Sequence, residues 1–160
     1  MIFAVFESIK YVGHIFPLLA LRIYMGFYFV EQAWSRYQGN FLVQPRLAEA
    51  IRDWSPGSPA PDWYKDILDQ WLLPHWQLAA YCVVYFQFVV GISFILGFFV
   101  RPMGIVAAIL SINFIYWSSP EIAELYRLHM VLCIVLAWIG AGRCFGMDYY
   151  FYKRHRGIWW

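Results

Sequence analysis

The chain has 160 residues, room for one compact domain, of which 62% are hydrophobic, 22% aromatic and only 14% charged. Ordinary soluble domains carry about 25% charged residues, so this composition, with a mean hydropathy of +0.52, excludes a water-soluble globule and selects the bilayer as solvent. A net charge of +2 offers no basic patch for nucleic acid, and the three cysteines, Cys82, Cys133 and Cys144, lack the spacing of a zinc or haem-attachment motif.

In chain order, residues 1–13 are short and amphipathic, the pattern of a helix lying on the membrane surface. Lys10 precedes an apolar run that Arg22 interrupts, and no small-residue cleavage site follows, so the segment reads as retained rather than as a secretory signal. A first span is predicted over about 15–37, with Pro17 in its first turn, where a missing N–H does no harm. It carries Arg22 near one end and Glu31 near the other. A charge at the centre of a membrane helix costs roughly 2.5–3.5 kcal/mol on insertion scales, so such residues face the bundle interior and find partners.

Residues 39–75 form the long polar segment. Leu47, Ile51 and Trp54 share one helical face, Pro56, Pro59 and Pro61 break the pattern, and Asp62 reads as the N-cap of a second amphipathic helix that Pro74 ends. Both short helices are expected to lie on the membrane or to cap the bundle. Further spans are predicted over about 76–100, 103–117 and 128–142, with a tight turn at Arg101-Pro102 and Pro102 suited to the first turn of the next helix. The architecture expected is therefore an all-α integral membrane protein, a four-helix transmembrane bundle in a single domain. Four spans place both termini on one side. Lys10, Arg101, Arg143, Lys153, Arg154 and Arg156 lie on that side in short segments, which puts it in the cytoplasm by the positive-inside rule. The basic tail is suited to anionic lipid headgroups.

Three pieces of sequence carry a resemblance. Leu21-Arg22-Ile23-Tyr24-Met25-Gly26 is similar to the "LR-x-x-x-G" opening of the DoxX/DoxD-type membrane proteins. The stretch from Gly91 through Gly97 to Arg101 resembles that family's glycine-rich turn between its second and third spans, and Gly140-Ala141-Gly142 followed by Asp148 resembles its closing motif. The order and spacing of the three agree from about residue 17 to 148. The resemblance implies a four-helix membrane fold and a place beside thiosulfate:quinone oxidoreductase, whose small membrane subunit is of this type. It also implies residence, as a multi-pass protein, in the plasma (inner) membrane of a prokaryote. The chain departs from the family at Gln87, where members often carry a glutamate.

Two constellations follow from this layout. Arg22 and Asp148 are predicted at the same end of the bundle, where an ion pair between them would tie the two ends of the chain together. Toward the other end, each predicted span brings a polar group to one depth: Glu31 and Gln32, then Gln77 and Tyr81, then Asn113, then His129. A quinone headgroup needs hydrogen-bond partners for two carbonyls and a group that trades protons, and Glu31 with His129 would supply both. The same residues would equally serve as a polar network fixing helix packing. Cys82 and Cys133 would form a redox pair only if their Cα atoms came within about 7 Å; buried free thiols otherwise behave as small apolar groups.

With no cofactor motif, the chain is not expected to run redox chemistry alone. Two functions fit. In one, it is the membrane subunit of a quinone-linked electron-transfer complex, contributing a quinone or partner contact. In the other, it is a non-catalytic accessory subunit that anchors or stabilises a larger membrane assembly. Its expected partners are other membrane subunits and lipids. A transporter is disfavoured by the small number of helices and the lack of an internal repeat.

Overall fold

The structure, a computed structural model, describes residues 16–143 and 146–148. The surface helix expected over 1–13 and the basic tail beyond 148 lie outside the described residues. Among those described, all regular structure is helical. Helix α1 spans Phe16–Gln38, α2 Arg46–Trp54 and α3 Asp62–Ile67, the last running on as a π-helical turn over Leu68–Leu72. Helices α4 (Trp76–Leu96), α5 (Val100–Tyr116) and α6 (Pro120–Ile139) follow, then a 3-10 turn over Ala141–Arg143 and the short described piece 146–148.

Helices α4 and α6 are long and apolar enough to cross a membrane, and α5 is a shorter apolar helix. Helix α1 has the length, 23 residues or about 35 Å at ~1.5 Å per residue, but carries Arg22, Glu31 and Arg36. The long helices pack in sequence: α1 lies along α4, α4 meets α5, and α5 lies along α6. Glycine makes the first of these contacts close. A Cβ built on Gly91 would sit 2.9 Å from both the Gly26 oxygen and the Val30 nitrogen, so α1 and α4 cross backbone against backbone. The outward faces of the four long helices carry Phe27, Val89, Ile92, Ile105, Ile109 and Val131, each at least half exposed. Helices that are apolar on the outside as well as the inside belong in a membrane or a large core.

The interior divides into two clusters. One joins Met25 and Phe29 of α1 to Phe94, Ala107, Cys133 and Leu136. The other joins Val83, Val84, Leu110 and Phe114 to Leu47, Ile51 and Leu68 of the 39–75 segment. Helix α2, through Leu47 and Ile51, and the π-helical turn after α3, through Leu68, thus cap one end of the bundle, while Trp63 and Ile67 of α3 stay exposed.

Local predictions need three corrections. The turn between the second and third spans is not at Arg101-Pro102 but at Gly97-Phe98-Phe99, and α5 already begins at Val100. Gly97 takes φ +67° to end α4, the left-handed cap that glycine adopts without penalty, and Phe99 at φ 52° completes the reversal. Pro102 occupies the first turn of α5, as expected, where proline costs no hydrogen bond, and Arg101 joins it there. Asp62 is the first residue of α3 rather than its N-cap; Pro61 holds that position and no side chain caps the helix. The last helix ends at Ile139, with Gly140 at φ +68°, three residues before the predicted limit.

Candidate functional site

Four long helices converge on a polar cluster at the end capped by α2 and the turn after α3. Helix α1 supplies Tyr28 and, two turns on, Arg36. Helix α4 supplies Gln87, α5 supplies Phe114, and α6 supplies Tyr126 and His129 one turn apart. Arg36 donates from Nη1 to Gln87 Oε1 at 2.6 Å and from Nη2 to the Tyr126 hydroxyl at 3.4 Å. Its guanidinium lies over the Phe114 ring at 4.2 Å and near the Phe41 ring at 5.7 Å, a cation–π setting. Gln87 is 1% exposed. Among the described residues, every partner of this cation is neutral.

His129, also buried, sits deeper in the same cluster. Its Nδ1 is 2.7 Å from the Leu125 carbonyl oxygen. A carbonyl only accepts, so Nδ1 carries the proton and Nε2 is the acceptor of the neutral ring. The imidazole stacks on Tyr28 with centroids 4.1 Å apart and an interplanar angle of 16°, and Tyr126 stacks on Phe114 at 5.1 Å. The cluster therefore combines a fixed cation, two phenols, an imidazole and flat aromatic faces. Such a set can hold an electron-rich oxygen, stack a planar ring and pass protons.

The residues singled out in the sequence distribute themselves unevenly around it. His129 lies inside. Gln32 is half-buried on α1, while Glu31, Gln77 and Tyr81 are exposed on outward faces, Tyr81 stacking on Tyr85. Asn113 is engaged elsewhere: Tyr64 donates its hydroxyl to Asn113 Oδ1 at 2.6 Å, and Asn113 Nδ2 donates to the Ile109 oxygen at 2.7 Å. This bond ties α3 to α5, and burial pushes the Tyr64 phenol above its ordinary range. Glu31 and His129 are not brought together: Glu31 follows the buried Phe29 by two residues, about 200° around α1 at ~3.6 residues per turn, and so faces outward, while Tyr28 takes the place against the imidazole. Cys133 is buried in the core and Cys82 faces outward; both are free thiols.

Sequence reasoning does not single out Arg36, Gln87, Tyr28 and Tyr126 as site residues. Arg36 reads in sequence as a cation at the mouth of the loop, and Gln87 stood out only as a departure from the family glutamate. The available signal was that both fall within apolar helices, where a polar residue needs a partner.

Arg22 and Asp148 occupy the opposite end, each 1% exposed. Arg22 Nη1 donates to the Ala141 oxygen at 2.8 Å. The Asp148 carboxylate accepts from the Phe99 and Val100 amides at 2.7 and 3.1 Å, and its own amide donates to the Gly97 oxygen at 3.0 Å. Asp148 thus caps α5, placing negative charge where that helix leaves its first amides open. A Cβ on Gly97 would meet the Arg22 guanidinium. Pieces of all three motifs that carry the resemblance meet at this corner.

The DoxX family model matches residues 17–119, which hold Arg22 and the glycine-rich turn. The chain belongs to the DoxX family. DoxX is a family of membrane proteins, in keeping with the apolar outward faces of α4, α5 and α6. The DoxX match ends before α6, so Tyr126, His129 and Asp148 lie beyond it. No curated protein and no solved structure matches the chain.

Proposed function

We propose that the chain is a membrane-embedded subunit of a quinone-linked electron-transfer complex in the inner membrane of a prokaryote, with α1, α4, α5 and α6 as four spans and both termini cytoplasmic. The observation that supports this most directly is Arg36, a largely enclosed guanidinium whose partners are a carboxamide, a phenol and two aromatic rings. A cation drawn into a low-dielectric site without a carboxylate is complementary to an oxygen that gains negative charge. Quinone is the substrate this fits, being a planar ring that becomes quinol by taking up two electrons and two protons. Electrons would come from a partner subunit, since the chain has no redox cofactor motif. In this reading Arg36 binds a carbonyl oxygen, Tyr28 offers the ring face turned away from the imidazole, and His129 with Tyr126 moves protons. Glu31, Gln32, Gln77 and Tyr81 are left to face lipid or the partner.

The test is turnover from donor to quinone in the purified complex. Arg36→Gln and His129→Ala are each expected to lower it roughly tenfold or more, the worth of a hydrogen bond to a charged group, with the subunit still retained; Glu31→Gln leaves turnover unchanged. A second reading, the accessory subunit, is favoured by a different observation: the Arg36, Gln87 and His129 hydrogen bonds are already made within the chain, as in a packing network. Under it, the same variants detach or deplete the subunit, and activity per assembled complex is unchanged.

A further inference from the structure

A groove of about 490 Å³ lies between the outward faces of α5 and α6. Ile105, Ile109 and Ile112 line it on the α5 side, and Ala137 of α6, with nothing beyond Cβ, gives it depth. Arg101 and Trp138 stand together at one end, where α5 begins and α6 finishes. Gly140 makes room there: a Cβ on it would come within 2.7 Å of Arg101 Nε. Trp138 is 85% exposed, an indole at the edge of an apolar channel.

Three features narrow the occupant. The path from Arg101 to Ile112 is about 16 Å at a rise of ~1.5 Å per residue, half of a hydrocarbon core of about 30 Å and so the depth of one leaflet. Its lining is apolar along that length, which suits an acyl chain and excludes a polar peptide. Its end carries a guanidinium and an indole, the pair of groups that marks the headgroup level of membrane proteins. We propose that this groove is a binding site for one anionic phospholipid, with an acyl chain along Ile105–Ile112 and the phosphate at Arg101. It lies at the opposite end of the bundle from Arg36, so it stands whether or not the quinone reading does.

The full chain, purified in mild detergent and returned to phosphatidylcholine vesicles, is probed with spin-labelled phosphatidylglycerol or phosphatidylcholine, reading the motionally restricted fraction. Phosphatidylglycerol is expected to be held roughly five-fold more tightly, the effect of one basic residue near a membrane surface. Arg101→Gln brings that ratio to about one and Arg101→Lys restores it. Ala137→Met, which fills the groove with the cation left in place, lowers the restricted phosphatidylglycerol. A preference that survives Arg101→Gln, or retention that survives Ala137→Met, overturns the proposal.

Discussion

Arg36 and Gln87 show how one atom type can set the electrostatics of a site. With glutamine at 87, the 2.6 Å hydrogen bond fixes the guanidinium without cancelling its charge. A carboxylate at the same position would cancel it. Gln87→Glu is therefore expected to raise the thermal midpoint, because an already enclosed cation gains an ionic partner, and to lower quinone turnover by competing for the same charge. Thermal unfolding in detergent and turnover of the complex read the two effects separately; unchanged turnover in a stabilised variant would sink the quinone reading. Sequence alone marks Gln87 as unusual, Arg22 as an intramembrane charge needing a partner, and Asp148, after the fourth span, as a candidate for that partner. It did not show that Arg36 turns inward, since a cation at a helix end can as well point to water. Nor did it show that Asp148 reaches backbone amides some fifty residues earlier in the chain, a contact that leaves no trace in local pattern.

At the scale of elements, hydropathy located α1, α4 and α5 to within about four residues, because twenty consecutive apolar residues have few other solutions; α6 begins at Pro120, before the predicted span. Reversals were harder. The motif Arg101-Pro102 attracts the turn by composition, whereas the turn is made by Gly97 and Phe99 through positive φ, a property that composition reports only weakly. Glycine also decides how α1 meets α4. Gly91→Ala is expected to cost about 1–3 kcal/mol, the usual effect of overpacking, because the added methyl meets backbone atoms that cannot rotate aside. Gly57→Ala, with nothing within 4 Å, is the matched control. Equal midpoints for the two variants in a detergent melt would show that the α1–α4 crossing is looser than described.

For the molecule as a whole, composition and hydropathy led to the membrane, and the family match agrees. The capping of one end by α2 and the turn after α3 was legible only as two amphipathic helices; which surface they covered depended on tertiary contacts such as Tyr64 with Asn113. The proposed four-span arrangement makes a topological prediction. In a background with Cys82, Cys133 and Cys144 replaced, Asp66→Cys on α3 is expected to react with a membrane-impermeant thiol reagent from outside intact cells. Labelling only after the membrane is broken would invert the orientation.

The corner where Arg22 reaches the Ala141 oxygen and Asp148 reaches the amides of Phe99 and Val100 also bears on how the protein is made. The ribosome releases α1 early and residue 148 late, so the turn between α4 and α5 must wait with open amides until synthesis has passed that aspartate. The bundle is latched by a part that is made late. A chain cut short before 148 would leave its first helix unfastened and its third long helix uncapped, a defect that membrane quality-control proteases are placed to find.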